Sequence, residues 1–296
     1  NCDWSSDVCS SDLAAPWSFL APFLALFATF TLYPLAYSVY LALRQSVGPG
    51  VDLYVGGDNF ARLLRDEVFW GSLGRTAYFA AGSILGQLPL ALGLALLVNQ
   101  RRLRLRGLWR TTLFLPVLVG AAFIAVGFRL IFGVQDGVLN QLLGRLGVPA
   151  LDWLRDPDVV LNTLVLTGVW MFTGFNMVYF LAGLQGIPSE LYEAAAIDGA
   201  GPWQRFRAVT LPGIWPIAAF LITASTIGSF GLFDLPWVLT DRGGPGRAST
   251  TVMVYLYERG FLAGDIGYAA AMGWLVTLVL LIIALVQLRV TRARAD

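Results

Sequence analysis

Histidine and lysine are absent from this 296-residue sequence, and the only cysteines are Cys2 and Cys9. A nucleotide-binding P-loop needs a lysine for the phosphates, so a standard site of that kind is excluded. The same absences exclude a Ser-His-Asp triad, an HExxH zinc site and a lysine Schiff base. If the protein uses ATP, hydrolysis must therefore take place on another chain.

Charge is also scarce, because only 13% of the residues are charged and 57% are hydrophobic. Soluble domains carry about 25% charged residues. Six apolar runs are each long enough to cross a bilayer as a helix, which takes about 20 residues. These runs cover residues 17–43, 76–98, 111–132, 159–184, 214–239 and 267–288. The sequence therefore predicts an all-α integral membrane protein with six transmembrane helices.

The first 13 residues differ from the rest of the chain, because they are acidic and rich in serine. They lack the basic start of a signal peptide. We interpret residues 1–13 as an artefact of sequence assembly or a disordered leader, and we give the two cysteines there no role. Residues 14–296 are expected to form one six-helix transmembrane domain, with no soluble domain inserted.

The placement of arginine predicts how the chain is oriented in the membrane. Arginines are concentrated in three short stretches, namely the loops after the second and fourth apolar runs and the C-terminal tail. Cytoplasmic loops of membrane proteins carry an excess of basic residues. We therefore predict that both termini are cytoplasmic, on the same side as the loop at about 185–212.

That loop contains local start and stop patterns for two helices. Ser189 is a good N-cap, and Gly199 suits the left-handed position that ends a helix. Pro202 can open a second helix at its first turn. An apolar stripe along this second helix is formed by Trp203, Phe206 and Val209. The pattern predicts a short helix, a bend and a second short helix.

The same loop resembles the EAA loop of ABC importer permeases. The residues that match its pattern at the expected spacing are Glu193, Ala194, Ala195, Gly199, Leu211 and Pro212. The extended run around it, which includes Asp198, is similar to the carbohydrate-uptake branch, and so is the later Gly243-Gly244-Pro245 sequence. These features resemble the first permease of maltose-type and glycerol-phosphate-type importers.

The resemblance implies a type I ABC importer permease fold in a bacterial plasma (inner) membrane. It implies that Glu193 anchors the loop to an ATPase subunit, while Ala194 and Ala195 permit close approach and Gly199 makes the bend. The implied partners are a second permease subunit, two ATPase subunits, an extracytoplasmic solute-binding protein and membrane lipid, with no nucleic acid. The chain would then be a transport subunit rather than an enzyme. It would hold no cofactor or metal, because ATP and Mg²⁺ bind the ATPase.

Solute contacts in this family come from the segments on either side of the EAA loop. The candidates in those segments are Phe175, Asn176, Tyr179, Ser225 and Ser229. Aromatic rings can stack on sugars and small polar groups can bond their hydroxyls, but the same side chains can also join helix to helix. Asp234 is a further candidate, because an acid in a membrane segment is a functional hypothesis by default. Pro236 beside it also allows a position at the water interface.

Three other functions remain open from the sequence. An ion-coupled secondary transporter or channel would need ionisable groups within the bilayer, and Asp234 is the serious candidate. A membrane enzyme would need a cluster of nucleophile, base or metal ligands. An ABC importer for a different class of solute would share the EAA loop, so only the extended carbohydrate-like features argue against it.

Overall fold

The computed structural model describes residues 14–46, 52–100 and 103–292. The predicted leader at residues 1–13 lies outside these ranges, and so does the C-terminal end of the arginine-rich tail. Most of the described chain is helical. The α-helices are α1 (Ala14–Phe27), α2 (Tyr33–Ala42), α3 (Asp58–Leu64), α4 (Glu67–Asn99), α5 (Arg106–Val119), α6 (Ala121–Ile131), α7 (Val138–Arg145), α8 (Val160–Gln185), α9 (Ser189–Ile197), α10 (Pro202–Arg205), α11 (Leu211–Phe230), α12 (Asp234–Leu239), α13 (Val252–Tyr257) and α14 (Ile266–Arg292).

Shorter elements connect some of these helices. The π-helical turns are Ala28–Leu32, Phe206–Thr210 and Glu258–Leu262, and a 3₁₀ turn covers Pro245–Arg247. Two short strands, β1 (Arg44–Ser46) and β2 (Asp52–Tyr54), pair antiparallel, with Gln45 opposite Leu53.

Five helical stretches are long and apolar enough to cross a membrane. They are Phe19–Ala42, Glu67–Asn99, Val160–Gln185, Pro202–Phe230 and Ile266–Val290. The pair α5 and α6 gives a sixth span if the two are counted together, although they are bent by 100°. The all-α membrane fold is therefore confirmed, with a broken helix in the third position.

The third apolar run was predicted to be one continuous helix, and that prediction was wrong. Gly120 separates α5 from α6 with φ +87° and ψ 142°, a conformation that belongs to neither helix. A residue without a Cβ reaches this region at little steric cost. The run is apolar on both sides of Gly120, so hydropathy alone does not reveal the break.

The second span begins at Glu67, earlier than the predicted start at residue 76. Its N-cap is Asp66, whose Oδ1 accepts hydrogen bonds from the backbone N–H groups of Val68 (2.9 Å) and Phe69 (3.2 Å). The other carboxylate oxygen accepts a 2.6 Å bond from the hydroxyl of Tyr255 in α13. One carboxylate therefore starts α4 and joins it to α13.

The fifth run was also predicted with the wrong limits, at residues 214–239. The structure has one unbroken helix from Pro202 to Phe230, followed by a separate short helix, α12. The helix extends towards its N-terminus because the π turn continues α10 into α11 without leaving helical angles. The predicted second short helix of the loop is therefore the first part of a membrane span.

The chain forms two compact units. The first comprises the N-terminal part up to Arg65 together with Glu258–Val276. Within it, Arg62 forms a 2.8 Å salt bridge with Asp265, and its guanidinium lies 4.0 Å from the ring centre of Tyr268. The buried amide of Asn59 donates to the carbonyl of Ala42 at the end of α2 and to that of Arg44 in β1, which fixes α3 against this part of the chain.

The second unit comprises Asp66–Tyr257 and the chain from Thr277 onward. Its main packing is that of α4 against α8, where small residues let the helices approach closely. A Cβ added at Gly86 would lie 2.7 Å from a methyl group of Val169. Gly174 allows the closest approach, because a Cβ there would overlap the carbonyl oxygen of Leu113 in α5. These contacts bring α4 and α5 close to α8, which contributes one wall of a cavity.

Candidate functional site

A cavity of about 450 Å³ lies within the second unit, between α4, α8 and α11. It includes five of the six predicted pathway residues on segments four and five, and these five lie on α8 and α11. The residues that line it are Phe79, Ser83, Gln87, Phe172, Phe175, Asn176, Tyr179, Phe220, Leu221, Ala224, Ser225, Gly228, Ser229 and Leu232. The two segments that the sequence indicated, α8 and α11, therefore form two of the three helical walls of this cavity.

Aromatic rings form one side of the cavity. The rings of Phe175 and Tyr179 are 5.0 Å apart, and Tyr179 lies 5.8 Å from Phe220 across to α11. Phe175 also stacks on Phe114 of α5 at 6.3 Å. The result is a continuous ring surface along α8 of the kind that covers the apolar faces of a ligand.

Uncharged polar side chains interrupt a lining that is otherwise mostly apolar. Asn176 and Ser229 are buried, with 2% and 7% of their surface exposed, and Ser225 is half-buried. Sequence analysis missed Ser83 and Gln87 on α4. They stand four residues apart, a spacing that places them on one face of a helix. Polar residues at this spacing in an otherwise apolar span are the pattern that would have revealed them.

Asp234 does not line this cavity. It occupies the first turn of α12 and is exposed, outside the helix that ends at Phe230. The prediction that it lies in the fifth apolar span is therefore wrong, because the chain turns at Gly231 before reaching it.

The loop between α8 and α11 contains the predicted helix and bend. α9 covers Ser189–Ile197, and Gly199 has φ +76°. The backbone N–H of Gly199 donates to the carbonyl of Ala196, and the next N–H donates to that of Ala195. These bonds satisfy carbonyl groups at the end of α9, as expected for a left-handed glycine. Ser189, however, is the first helical residue rather than the N-cap, and no side chain caps α9.

Two side-chain bonds hold the bend in place. The hydroxyl of Tyr192 in α9 lies 3.0 Å from Oγ1 of Thr210 in the π turn. Arg205 Nε donates a 2.8 Å bond to the carbonyl of Ala200. The first bond joins α9 directly to the helix that continues into the cavity wall.

The residues that match the EAA pattern are largely exposed on this loop. Glu193, Ala194, Asp198 and Gly199 are exposed, and Ala195 is half-buried. Leu211 and Pro212 are exposed at the start of α11.

Large apolar side chains stand among these residues, since Ile197 is 87% exposed and Trp203 is 70% exposed. A surface with small, acidic and large apolar groups together is typical of a contact site for another protein.

The Gly243-Gly244-Pro245 sequence forms a turn in which Gly243 is buried and the other two residues are partly exposed. Gly243 has φ +105°, and a Cβ there would overlap Thr250. Ser249 donates a 2.8 Å bond to Thr240 through its hydroxyl, and its backbone N–H donates a 2.9 Å bond to the carbonyl of Gly243. The motif therefore maintains a compact loop through its own hydrogen bonds.

Comparison with known proteins identifies the family. Residues 87–295 match the family described as "Binding-protein-dependent transport system inner membrane component". The arabinooligosaccharides transport system permease protein AraP of Bacillus subtilis is 35% identical over 96% of this chain and 91% of its own length. The lactose transport system permease protein LacF of Rhizobium radiobacter is 35% identical over 94% of both chains.

A solved structure shares the fold. A chain of a bacterial alginate ABC transporter, solved in complex with an alginate pentasaccharide-bound periplasmic protein, superposes with a TM-score of 0.84 at 24% identity, covering 97% of this chain and 98% of its own. The chain therefore belongs to the family of inner membrane components of binding-protein-dependent transport systems.

Proposed function

We propose that this chain is the permease subunit of an ATP-driven importer that moves a sugar or a sugar-like solute through the cavity. The observation that carries this proposal is the unbroken helix Pro202–Phe230. Its first turns belong to the EAA-like loop, and its later turns line the cavity through Ser225 and Ser229. Movement of the loop would therefore be transmitted directly to the solute site.

The length of that connection can be worked out from helix geometry. Thr210 and Ser225 are 15 residues apart, which is roughly 22 Å along an α-helix at 1.5 Å per residue. The bond between Tyr192 and Thr210 connects α9 to the same helix. A partner that binds α9 would therefore move the cavity wall through one continuous helical stretch.

The partner that fits this loop is an ATPase subunit on the cytoplasmic side. Glu193 would pair with a basic or hydrogen-bonding group, and Ala194 and Ala195 would enter a groove in the partner. Gly199 would set the angle to the next helix. ATP and Mg²⁺ would bind this separate chain, so the permease itself would hold no cofactor and would catalyse no reaction. With this orientation both termini are cytoplasmic.

Further partners follow from the assembly that we propose. A second permease subunit would complete the pathway, and two ATPase subunits would bind the two coupling loops. An extracytoplasmic protein would deliver the solute, as the periplasmic protein in the alginate transporter complex suggests. The names of the two relatives, which refer to arabinooligosaccharides and lactose, support a sugar as the solute.

The chemistry of the cavity is compatible with a sugar. The rings of Phe175 and Tyr179 offer apolar faces for sugar C–H groups, and Asn176, Ser225 and Ser229 offer bonds to hydroxyls. Asp234 has no role in this proposal, because it is exposed outside the cavity.

Co-purification tests the proposal. The tagged chain would be isolated from native membranes in mild detergent, as wild type, as Glu193→Lys and as the control Asp158→Lys. The control makes the same charge change at an exposed position before α8. We expect an ATPase and a second permease with the wild type and the control, and loss of the ATPase with Glu193→Lys. Recovery of this chain alone would overturn the proposal and favour a secondary transporter or channel.

A further inference from the structure

Among the described residues, three buried polar atoms on α4 have no hydrogen-bond partner; one is Oγ of Ser72, away from the cavity, and the other two belong to residues that line it. These two are Oγ of Ser83 and Oε1 of Gln87, in side chains that are 2% and 3% exposed. Both side chains line the cavity. A buried polar group without a partner is unfavourable, so native proteins seldom retain one unless a water or a ligand completes it.

The packing of α4 against α8 places Ser83 and Gln87 beside a close helix contact. Gly82 and Gly86, which precede the two polar residues, pack against valines of α8. This contact presses α4 against α8, and Ser83 and Gln87 lie beside it, at the cavity surface. Several buried hydroxyls in these helices bond to their own backbone, as Thr167 does with the carbonyl of Thr163 at 2.9 Å. Ser83 makes no such bond.

The cavity lining restricts the ligand chemistry. None of the described residues that line the cavity is charged. Burying an ion without an opposite charge is very costly, so a neutral ligand is favoured. A free carbonyl oxygen of an amide is an acceptor, and a serine hydroxyl can donate or accept. The complementary ligand group is a hydroxyl that donates its hydrogen to Gln87 Oε1 and accepts a hydrogen bond from the hydroxyl of Ser83.

We propose that Ser83 and Gln87 are solute-recognition residues on a third wall of the cavity, where they bind a hydroxyl group of a neutral, polyhydroxylated solute. This inference rests on the proposed function, since it takes the cavity as part of the transport path. It assigns solute contacts to α4 as well as to α8 and α11. The family resemblance did not indicate α4.

Transport by the complete complex tests the inference. The complex would be purified with its partners and placed in proteoliposomes with enclosed ATP. The radiolabelled probes would be lactose, maltose and arabinobiose, with lactobionate as the carboxylate analogue of lactose. Four proteins would be compared: wild type, Ser83→Ala, Gln87→Met, and the control Thr167→Val, which removes a buried hydroxyl already bonded to its own helix.

We expect Gln87→Met to lower the uptake efficiency for the accepted sugar about ten-fold, the usual scale for a lost buried hydrogen bond. Ser83→Ala should lower it about five-fold on the same scale. Both variants should still co-purify with the partner subunits as one peak in size-exclusion chromatography, whereas a misfolded chain would not. The control should match the wild type, and lactobionate should not accumulate.

The outcomes separate the two proposals. If the wild type takes up a sugar and both variants equal it, the recognition role is wrong while the importer function stands. If Gln87→Met does not assemble, Ser83→Ala decides on its own, because it only removes a hydroxyl. Accumulation of lactobionate at the rate of lactose would refute the neutral class. Accumulation of none of the three sugars by the wild type would refute the proposed sugar transport itself.

Discussion

Replacing Tyr192 by phenylalanine should loosen α9 from the helix that forms the cavity wall. The tyrosine hydroxyl is 3.0 Å from Oγ1 of Thr210, and Thr210 is only 4% exposed. A neutral hydrogen bond contributes about 1 kcal/mol net to stability. Local opening of α9 should therefore become about five-fold more frequent, because 1.4 kcal/mol corresponds to a factor of ten.

Hydrogen exchange of peptides that cover residues 189–198 measures this opening, since protected amides exchange through local unfolding. The expected result is about five-fold faster exchange in Tyr192→Phe. Thr210→Val should give a similar effect, and the double variant should add little to either one, because both remove the same bond. This non-additivity distinguishes the bond from a general loss of packing.

Tyr78→Phe provides a matched control. It also removes a tyrosine hydroxyl bond, the 2.7 Å bond to Asn162, but that bond joins α4 to α8. Exchange in α9 should not change. Unaltered exchange of α9 in Tyr192→Phe, or fully additive effects in the double variant, would refute the account of how the loop is held.

Two further substitutions test the packing of the second unit. Gly174→Ala should sharply reduce the yield of folded protein, because the added Cβ would overlap the carbonyl of Leu113. Gly93→Ala is the control and should not reduce the yield, because a Cβ there meets nothing within 4 Å. Equal yields of the two variants would contradict the close helix contact. Asn140→Ala should lower the melting temperature in detergent more than Gln141→Ala. Buried Asn140 donates to several backbone carbonyls and accepts a bond from the indole of Trp153, whereas exposed Gln141 donates one 3.3 Å bond. The Asn140→Ala substitution should cost about 2 kcal/mol or more of stability, and equal melting temperatures of the two variants would contradict this role.

Local backbone preferences predicted the bend of the EAA-like loop well. Gly199 ends α9 with a positive φ, and Pro202 opens the next helix at its first turn, because both residues have strong and specific backbone preferences. The limits of the spans were less accurate. Asp66 starts α4 through its own cap and through Tyr255, a contact with a distant part of the chain that a hydropathy pattern does not contain.

The cavity could be predicted only in part. Asn176 and Ser229 stood out because they are polar residues in the apolar segments on either side of the EAA-like loop. Ser83 and Gln87 did not, because their significance depends on how closely α4 packs against α8 and on the bonds they do not make. The break at Gly120 was likewise not visible, since a glycine in an apolar run does not reveal its φ.

The energy source of uptake tests the central claim most directly. The purified complex would be placed in proteoliposomes with radiolabelled lactose, maltose or arabinobiose and the solute-binding protein outside. Internal ATP would be compared with a non-hydrolysable analogue and with imposed proton or sodium gradients. The account predicts accumulation only with hydrolysable ATP, and its loss in Glu193→Lys but not in Asp158→Lys. Accumulation driven by an ion gradient without ATP would contradict it and establish a secondary transporter.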